Sequence, residues 1–266
     1  MTNNELKKLA AQKALEEIKS GMIIGLGSGS TFAFALEIIA QKIKSGELTN
    51  IKGVPSSIST ERKAKELGIP VVTLNELIIE NGKWRIRNDQ VHSSILNSQF
   101  AIDVTVDGAD EVTVGHPESV SSDEGSKVEG SKSFHLIKGG GGALLREKVL
   151  FQNSQRNVVI IDESKLSDAL GSKYFLPVEV IPFAVEAEKR FLESLGAKVS
   201  LRLNDDGSEY ITDEGNLILD ADFGAIKNPY ELNNVLNNRA GIVGHGLFLN
   251  LASVVYCATN DGVKIL

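Results

Sequence analysis

A lysine, four successive glycines and a glutamate stand close together near the middle of the chain. Lys138 precedes Gly139–Gly142, and Glu147 lies about one turn into the helix that the pattern of Ala143–Leu150 predicts. A glycine turn that runs into a helix N-terminus presents unpaired backbone N–H groups to an anion. A cation, backbone donors and a carboxylate in one small volume suit a reaction that forms an oxyanion while a proton moves. The alternative is a flexible linker, but such linkers are usually polar and do not run straight into an apolar helix.

A second glycine-rich segment, residues 25–31, follows a strand predicted over Met22–Leu26. Gly25 and Gly27 match the dinucleotide fingerprint, but Ser30 occupies its third glycine position. The segment also offers hydroxyl groups at a helix start, those of Ser28, Ser30 and Thr31. This combination suits a single phosphate better than a pyrophosphate, which requires close approach of the backbone. A tight turn with a Ser or Thr N-cap is expected in either case, and the alternative is that the segment is this turn alone.

Three carboxylates follow another predicted strand, Phe100–Val106, in the run Asp107-Gly108-Ala109-Asp110-Glu111. Bringing several carboxylates together is energetically costly unless they are solvated or take part in binding or catalysis. The run by itself fits either a solvated turn or a functional cluster. Oxygen ligands of this kind suit a hard metal ion, whereas no His or Cys lies close in sequence to support a transition-metal site. A further predicted strand, Asn157–Ile161, ends at Asp162–Lys165, where Lys165 is either a second anion contact or an ordinary solvent-facing lysine.

Strands alternate with helices through about residue 170, which predicts a parallel sheet covered on both faces. Ligands in such folds bind at the carboxyl ends of the strands, so the segments that begin at residues 25, 107 and 162 are expected to share one sheet edge. Beyond Gly171 the predicted order becomes β-α-β-β-α-β, the split βαβ arrangement. We therefore expect an α/β protein with a Rossmann-like parallel-sheet domain over residues 1–170 plus 250–266 and a smaller, ferredoxin-like α+β domain over residues 171–249.

Several individual segments carry expectations of their own. Pro70–Leu74 and Ile242–Phe248 are each predicted as one strand, and Ser253–Ala258 as a strand that returns to the first sheet. Two polar stretches, Glu80–Asn97 and Thr113–Ser133, look inserted, the second as a mobile surface loop.

Composition narrows the classes of protein to which the chain can belong. It has 266 residues, a formal net charge of −7 and one cysteine, Cys257, which excludes an intrachain disulfide. The negative charge disfavours a nucleic-acid groove, and no apolar run reaches the length of a membrane span. Met1–Glu5 lacks the basic start and apolar core of a signal peptide. We therefore expect a cytoplasmic protein that binds neither nucleic acid nor membrane and keeps Cys257 reduced and buried.

Taken together, these motifs resemble the ribose-5-phosphate isomerase A family. The resemblance extends from residues 25–31, 107–111 and 138–148 to further segments in the family's order, Ser164-Lys165, Leu176-Pro177-Val178-Glu179-Val180-Ile181-Pro182, Asp213-Glu214-Gly215-Asn216 and Asp261-Gly262-Val263-Lys264. It implies reversible interconversion of D-ribose 5-phosphate and D-ribulose 5-phosphate, an aldose–ketose isomerisation of the pentose phosphate pathway, without a cofactor or a metal. It also implies a homodimer or homotetramer.

The resemblance assigns the family's proton-transferring glutamate to Glu147. The family's substrate contacts correspond to Ser28, Gly29, Ser30, Thr31, Asp107, Gly108, Ala109, Asp110, Lys138, Gly139, Gly140, Gly141 and Lys165. Elementary chemistry agrees, because one carboxylate can remove a proton beside a carbonyl and return it to the neighbouring carbon on one face of a cis-enediolate. Lys138 and the glycine N–H groups would stabilise the oxyanion. Asp107 and Asp110 would hold hydroxyls, assist ring opening or shuttle protons between oxygens, and the sequence does not divide these roles.

Two other functions are weighed against this one. A sugar-phosphate sensor of the transcription-regulator kind would carry a helix-turn-helix segment, for which the chain leaves no room before its first sheet helix, and Glu147 favours an enzyme. A nicotinamide-dependent oxidoreductase is disfavoured by Ser30 in the fingerprint. It is also disfavoured by Val54-Pro55-Ser56, where an acidic residue would be expected at the end of the second strand. We accordingly predict an isomerase with a small sugar phosphate as its substrate.

Overall fold

The computed structural model describes residues 1–80, 101–115 and 133–266. Its helices are α1 (Asn3–Ala14), α2 (Gly29–Lys44), α3 (Ile58–Glu66), α4 (Leu74–Glu80), α5 (Leu144–Gln152), α6 (Val185–Ser194) and α7 (Pro229–Asn237). Its strands are β1 (Ile23–Leu26), β2 (Lys52–Pro55), β3 (Ile102–Gly108), β4 (Glu111–Gly115), β5 (Ser133–Ile137), β6 (Ser154–Asp162), β7 (Leu176–Val180), β8 (Lys198–Leu201), β9 (Leu217–Asp222), β10 (Ile242–His245), β11 (Leu247–Leu249), β12 (Val254–Thr259) and β13 (Gly262–Ile265).

The central sheet has six strands in the order β13-β12-β6-β3-β1-β2. Its neighbouring pairs run parallel except for β12 and β13, which pair antiparallel. Because parallel neighbours end at the same edge of a sheet, the segments that follow β1, β3 and β6 lie side by side, as predicted. The predicted return of the chain to this sheet through β12 is also confirmed.

Buried side-chain clusters cover both faces of the central sheet. Neighbouring residues of one strand enter different clusters, because successive side chains point to opposite sides of a sheet. Val158 of β6 packs in a buried cluster with residues of α1 and α2. The next residue, Val159, packs in another cluster with Phe151 of α5 and with Phe248. Cys257 belongs to this second cluster and is fully buried, as expected for a small apolar side chain.

A second sheet has four antiparallel strands in the order β10-β7-β9-β8. Helices α6 and α7 contribute Leu192 and Leu236 to its buried core. The succession β7-α6-β8-β9-α7-β10 is the predicted split βαβ arrangement. The predicted fold class is thereby confirmed, while the division into residues 1–170 plus 250–266 and residues 171–249 stays a prediction.

A third sheet, with the antiparallel order β11-β5-β4, was not predicted. It corrects the expectation of one strand over Ile242–Phe248, which was wrong: the segment divides into β10 in the four-stranded sheet and β11 in the three-stranded sheet. The division falls at Gly246, whose N–H donates to Pro177 O and whose carbonyl accepts from Lys138 N. A side chain there would collide with the Lys138 carbonyl, so the glycine permits the change of sheet.

The expectation of a strand over Pro70–Leu74 was also wrong. Only one bridge joins this segment to the central sheet, between Gly53 and Val71, and α4 begins at Leu74. Thr73 and Glu76 start the helix as a capping box, since each side chain accepts a hydrogen bond from the other's backbone N–H. A capping signature therefore outweighed the apolar run.

The two stretches expected as insertions, Glu80–Asn97 and Thr113–Ser133, lie for the most part outside the described residues. Their described parts are Glu80 in α4, Thr113–Gly115 in β4 and Ser133 in β5. Among the helices of residues 1–80, 101–115 and 133–266, none combines the length and apolar character that crossing a membrane requires.

Candidate active site

A cavity of about 100 Å³ lies where β1 and β3 end. All the side chains and glycines predicted to act on or bind a substrate line it, together with Lys7 of α1: Lys7, Ser28, Gly29, Ser30, Thr31, Asp107, Gly108, Ala109, Asp110, Lys138, Gly139, Gly140, Gly141, Glu147 and Lys165. The glycine turn reaches this edge from β5 of the three-stranded sheet, which folds it against the ends of the central strands.

The centre of this cavity is a buried cluster of one ammonium and two carboxylates. Lys138 Nζ lies 3.0 Å from Asp107 Oδ2 and 3.2 Å from Glu147 Oε2. It also donates a hydrogen bond to the carbonyl of Gly108 at 2.6 Å. All three charged side chains are almost fully buried. When all three are ionised the cluster holds one excess negative charge.

Burial and neighbouring charge perturb both members of the Lys138–Asp107 pair. Burial raises the pKa of Asp107 above its ordinary value, the nearby carboxylate of Glu147 raises it further, and Lys138 opposes both effects. Burial by itself lowers the pKa of Lys138, but attraction to Asp107, Glu147 and Asp110 outweighs burial and raises it. Lys138 is therefore a permanent cation, whereas Asp107 is able to exchange a proton near neutral pH.

Asp107 is held by the segment that follows β1. Its Oδ1 accepts hydrogen bonds from the N–H of Ser28 at 3.0 Å and from its own neighbour Gly108 at 2.7 Å. A side chain at Gly27 would come within 2.3 Å of this oxygen. The second glycine of the fingerprint-like segment thus serves close approach of the Asp107 carboxylate.

Glu147 is oriented from the same side. Its Oε1 accepts a hydrogen bond of 2.5 Å from the hydroxyl of Ser28. Its Oε2 and Asp107 Oδ2 are buried and face the Lys138 ammonium at 3.2 and 3.0 Å, with no further hydrogen-bond donor among the residues that the structure describes. Each oxygen therefore has room in its hydrogen bonding for a proton or hydroxyl of a ligand.

The glycine turn binds the second aspartate. Gly140 donates its N–H to Asp110 Oδ2 at 2.8 Å, and Gly142 closes the turn by donating to the carbonyl of Gly139 at 3.0 Å. Gly139 has a φ of 105°, which an L side chain rarely adopts. Burial raises the pKa of Asp110. The third carboxylate of the run, Glu111, points elsewhere and accepts the N–H groups of Gly171 and Lys173.

A separate polar region lies at the start of α2. Ser28 occupies the N-cap position, but its hydroxyl binds Glu147 and does not cap the helix. The expected Ser N-cap is therefore present in position, but without the side-chain hydrogen bond that caps a helix. Lys7 reaches the region from α1 and donates to the Ser30 hydroxyl at 2.9 Å. Sequence reasoning did not include Lys7, because a lysine on the polar side of an amphipathic helix has no local signature.

A larger groove of about 640 Å³ lies at the amino-terminal ends of β3 and β6. Within its lining, Glu17 accepts hydrogen bonds from Arg156 at 2.6 Å and from Tyr256 at 2.7 Å. Because the predicted site residues lie at the opposite edge of the sheet, we assign the chemistry to the smaller cavity. In the described part of the chain no group of three His, Cys, Asp or Glu side chains is arranged to hold a metal ion.

Known proteins resemble the chain over almost its whole length. The family model of ribose 5-phosphate isomerase A (phosphoriboisomerase A) matches residues 79–262. Ribose-5-phosphate isomerase A of Desulfatibacillum aliphaticivorans is 46% identical, over 99% of this chain and 98% of the relative. That of Chloroflexus aurantiacus is 42% identical, over 99% and 94% respectively.

Solved structures agree with the sequence comparisons. A D-ribose-5-phosphate isomerase in complex with phospho-erythronic acid superposes with a TM-score of 0.81 at 36% identity, covering 100% of this chain and 99% of the other. The ribose 5-phosphate isomerase A of Methanocaldococcus jannaschii has a TM-score of 0.79 at the same identity and coverage. Identity sustained over nearly the full length of several such relatives shows that this chain belongs to the ribose 5-phosphate isomerase A family.

Proposed function

We propose that this chain interconverts D-ribose 5-phosphate and D-ribulose 5-phosphate. The observation that carries the proposal is the buried contact between the Glu147 carboxylate and the Lys138 ammonium. An aldose–ketose isomerisation needs a group that accepts and returns a proton, beside a fixed positive charge that balances the developing oxyanion. Membership of the isomerase family supports the same activity.

Glu147 is the base in this proposal. In the open-chain aldose its carboxylate removes the proton from C2, the C–H electron pair forms the C1=C2 double bond, and the C1 carbonyl oxygen becomes the oxyanion of a cis-enediolate. The O2 proton then moves to O1, Glu147 returns its proton to C1, and the carbonyl forms at C2. Substrate and product contain the same atoms and electrons, so the reaction requires no redox partner.

Lys138 and the glycine turn stabilise the enediolate. The ammonium is held by the Gly108 carbonyl and stays charged because the surrounding carboxylates raise its pKa. A fixed donor of this kind is typically worth about 10²–10³ in kcat, because it needs no reorganisation as the negative charge forms.

The two aspartates have different surroundings, and we assign them different roles. Asp107 faces the Lys138 ammonium with Oδ2, which has no further hydrogen-bond donor among the described residues, and burial raises its pKa. It is the group that moves a proton between O1 and O2. Asp110 is bound to Gly140 and holds the glycine turn and a substrate hydroxyl.

The phosphate binds at the start of α2. Ser30 and Thr31 supply hydroxyls at a helix N-terminus, beside Ser28 and Gly29 in the cavity wall, and Lys7 and Lys165 add positive charge there. Phospho-erythronic acid, present in a solved relative, carries a carboxylate and a phosphate. We expect this chain to bind it with the carboxylate at Lys138 and the phosphate at this segment.

The experiment is conversion of ribose 5-phosphate by the purified protein in D₂O, continued over many turnovers and followed by NMR. Proton transfer through Glu147 places solvent deuterium at C1 of the ketose. A direct hydride shift leaves C1 without deuterium, which would overturn the enediolate. Absence of any product would overturn the activity itself.

The cellular setting belongs to the same proposal. The single, buried Cys257 and the net charge of −7 fit a cytoplasmic enzyme of the pentose phosphate pathway that binds neither nucleic acid nor membrane. We expect a homodimer or homotetramer, and sedimentation equilibrium of the purified chain distinguishes these two assemblies from a monomer.

A further inference from the structure

The carbonyl groups of the glycine turn are bound from the side of the four-stranded sheet. Arg202, one residue beyond β8, donates through Nη1 to the carbonyl of Gly139 at 2.8 Å and to that of Gly140 at 3.1 Å. Tyr210 donates its hydroxyl to the carbonyl of Gly141 at 3.1 Å. Three successive carbonyls of the turn therefore point away from the cavity that their glycines line.

The Arg202 guanidinium is itself held in place. Its Nε donates to Asp220 Oδ2 at 2.9 Å, and its Nη2 donates to the other carboxylate oxygen. Asp220 belongs to β9, and the carbonyl of Ile218 in the same strand accepts the backbone N–H of Arg202. A planar fork with two nitrogens on a carboxylate leaves Nη1 in a defined direction, which a lysine cannot reproduce.

Binding of a peptide carbonyl on one side fixes the direction of the N–H of the same peptide on the cavity side. The C=O and N–H of a trans peptide point in opposite directions. The carbonyl of Gly139 shares a peptide plane with the N–H of Gly140, and that N–H donates to Asp110 Oδ2 inside the cavity. The carbonyl of Gly140 shares its plane with the N–H of Gly141, which makes no hydrogen bond to the described residues. Arg202 thus holds the two peptides whose N–H groups face the ligand side.

We propose that Arg202 is a positioning residue for the isomerisation: by binding the carbonyls of Gly139 and Gly140, it fixes Asp110 and aims the Gly141 N–H at a substrate oxygen. The proposal rests on the proposed function, because that reaction supplies the oxygen. The tight packing around Gly140 supports the proposal, since a side chain on this residue would lie less than 3 Å from Tyr174 and from Asp110.

The test compares Arg202→Lys with two controls. Arg239→Lys removes another bidentate arginine–carboxylate pair, to Glu188, from the same part of the fold but without contact to the turn. Tyr210→Phe removes the bond to Gly141, whose peptide carries the Gly142 N–H that is already used within the turn. For each variant, kcat and KM are measured with ribose 5-phosphate, and affinities for phospho-erythronic acid and inorganic phosphate are measured by calorimetry.

We expect Arg202→Lys to lower kcat by about 10-fold or more and to lower the affinity for phospho-erythronic acid by a similar factor. This is the effect of losing a hydrogen bond that involves a charged group. Inorganic phosphate should bind within about twofold of the wild type, because the start of α2 is untouched. Both controls should keep kcat within about threefold, as expected for changes outside the aligned peptides.

Guanidinium at millimolar concentration provides a second readout. It should restore activity to Arg202→Ala, whereas sodium chloride of equal ionic strength should not. If kcat falls equally in Arg202→Lys and Arg239→Lys, Arg202 merely supports the fold. The same conclusion holds if the affinities of Arg202→Lys for phospho-erythronic acid and for inorganic phosphate fall by the same factor. If Arg202→Lys does not fold, Asp220→Asn, which keeps the guanidinium but removes its anchor, is judged by the same measurements. A wild-type protein without isomerase activity would instead overturn the proposed function.

Discussion

The hydroxyl of Ser28 donates a 2.5 Å hydrogen bond to the carboxylate of Glu147, although 119 positions of sequence separate them. This bond joins the start of α2 to the first turn of α5. The residue that we assign as the base is therefore oriented by the segment that we assign to the phosphate. We therefore expect phosphate binding at one end of the substrate to influence proton transfer at the other through this bond.

Replacing Glu147 by Gln keeps the shape of the side chain and removes its ability to accept a proton. We expect kcat to fall by at least about 10²-fold, the low end for a positioned general base. The circular dichroism spectrum should be unchanged. A purified variant with near-normal turnover would eliminate Glu147 as the base.

Ser28→Ala should leave Glu147 charged but less well oriented. We expect a decrease of about 10-fold in kcat, which corresponds to roughly one hydrogen bond to a charged group. KM for ribose 5-phosphate should change less, because Ser30, Thr31 and the helix N-terminus remain. A change confined to KM would show that the hydroxyl binds the phosphate and does not orient the base.

Thr31→Ala and Lys7→Met test the phosphate site from two different helices. Each should lower kcat/KM for ribose 5-phosphate by roughly ten- to a hundred-fold, because each removes one contact to a charged group. We expect unphosphorylated ribose to be a very poor substrate and to be little affected by either change, since only the phosphate loses a partner. Lys8→Met, an exposed neighbour on α1, is the matched control for Lys7. Equal losses of kcat/KM on both sugars would contradict the assignment of the phosphate site to this segment.

Exhaustive treatment with a chelator should leave the isomerase fully active. The reason is that Lys138 and backbone N–H groups supply the positive charge that a divalent ion would otherwise provide. The measurement is turnover before and after chelation, with magnesium, manganese and zinc added back separately. Activity that is lost on chelation and restored by one of these ions would make Asp107–Glu111 a metal site.

Lys148, beside the assigned base, predicts a pH dependence of stability. Its ammonium is partly buried over the Phe248 ring and donates to the carbonyl of His245, and desolvation lowers its pKa to about 7. The unfolded chain, with a lysine pKa of about 10.4, binds more protons between these values, so the free energy of unfolding should rise with pH there.

Lys148→Met lacks this proton. Its free energy of unfolding, measured by urea titration from pH 7 to 10, should therefore rise less with pH than that of the wild type, by up to about 1.4 kcal/mol per unit. Parallel curves for the two proteins would show that Lys148 titrates normally in the folded state.

Local sequence patterns predict many of the helices and strands of this fold. Helix periodicity, glycine at helix ends and the spacing of apolar runs predict the alternating elements, because each depends on residues within a few positions. Lys138, the glycine turn and Glu147 are neighbours in the chain, so their proximity in space was readable without a structure. The segments after β1, β3 and β6 could be placed together because parallel strands share an edge.

Tertiary packing decided what no local pattern encodes. The chain between Ile242 and Leu249 changes sheets because Gly246 is bonded to two distant backbones, and Glu111 leaves the carboxylate cluster because two N–H groups of a later loop bind it. Lys7 and Arg202 reach the site only through packing of α1 against α2 and of β8 and β9 beside the glycine turn. These contacts join residues far apart in sequence, and their geometry arises only when the whole chain is folded.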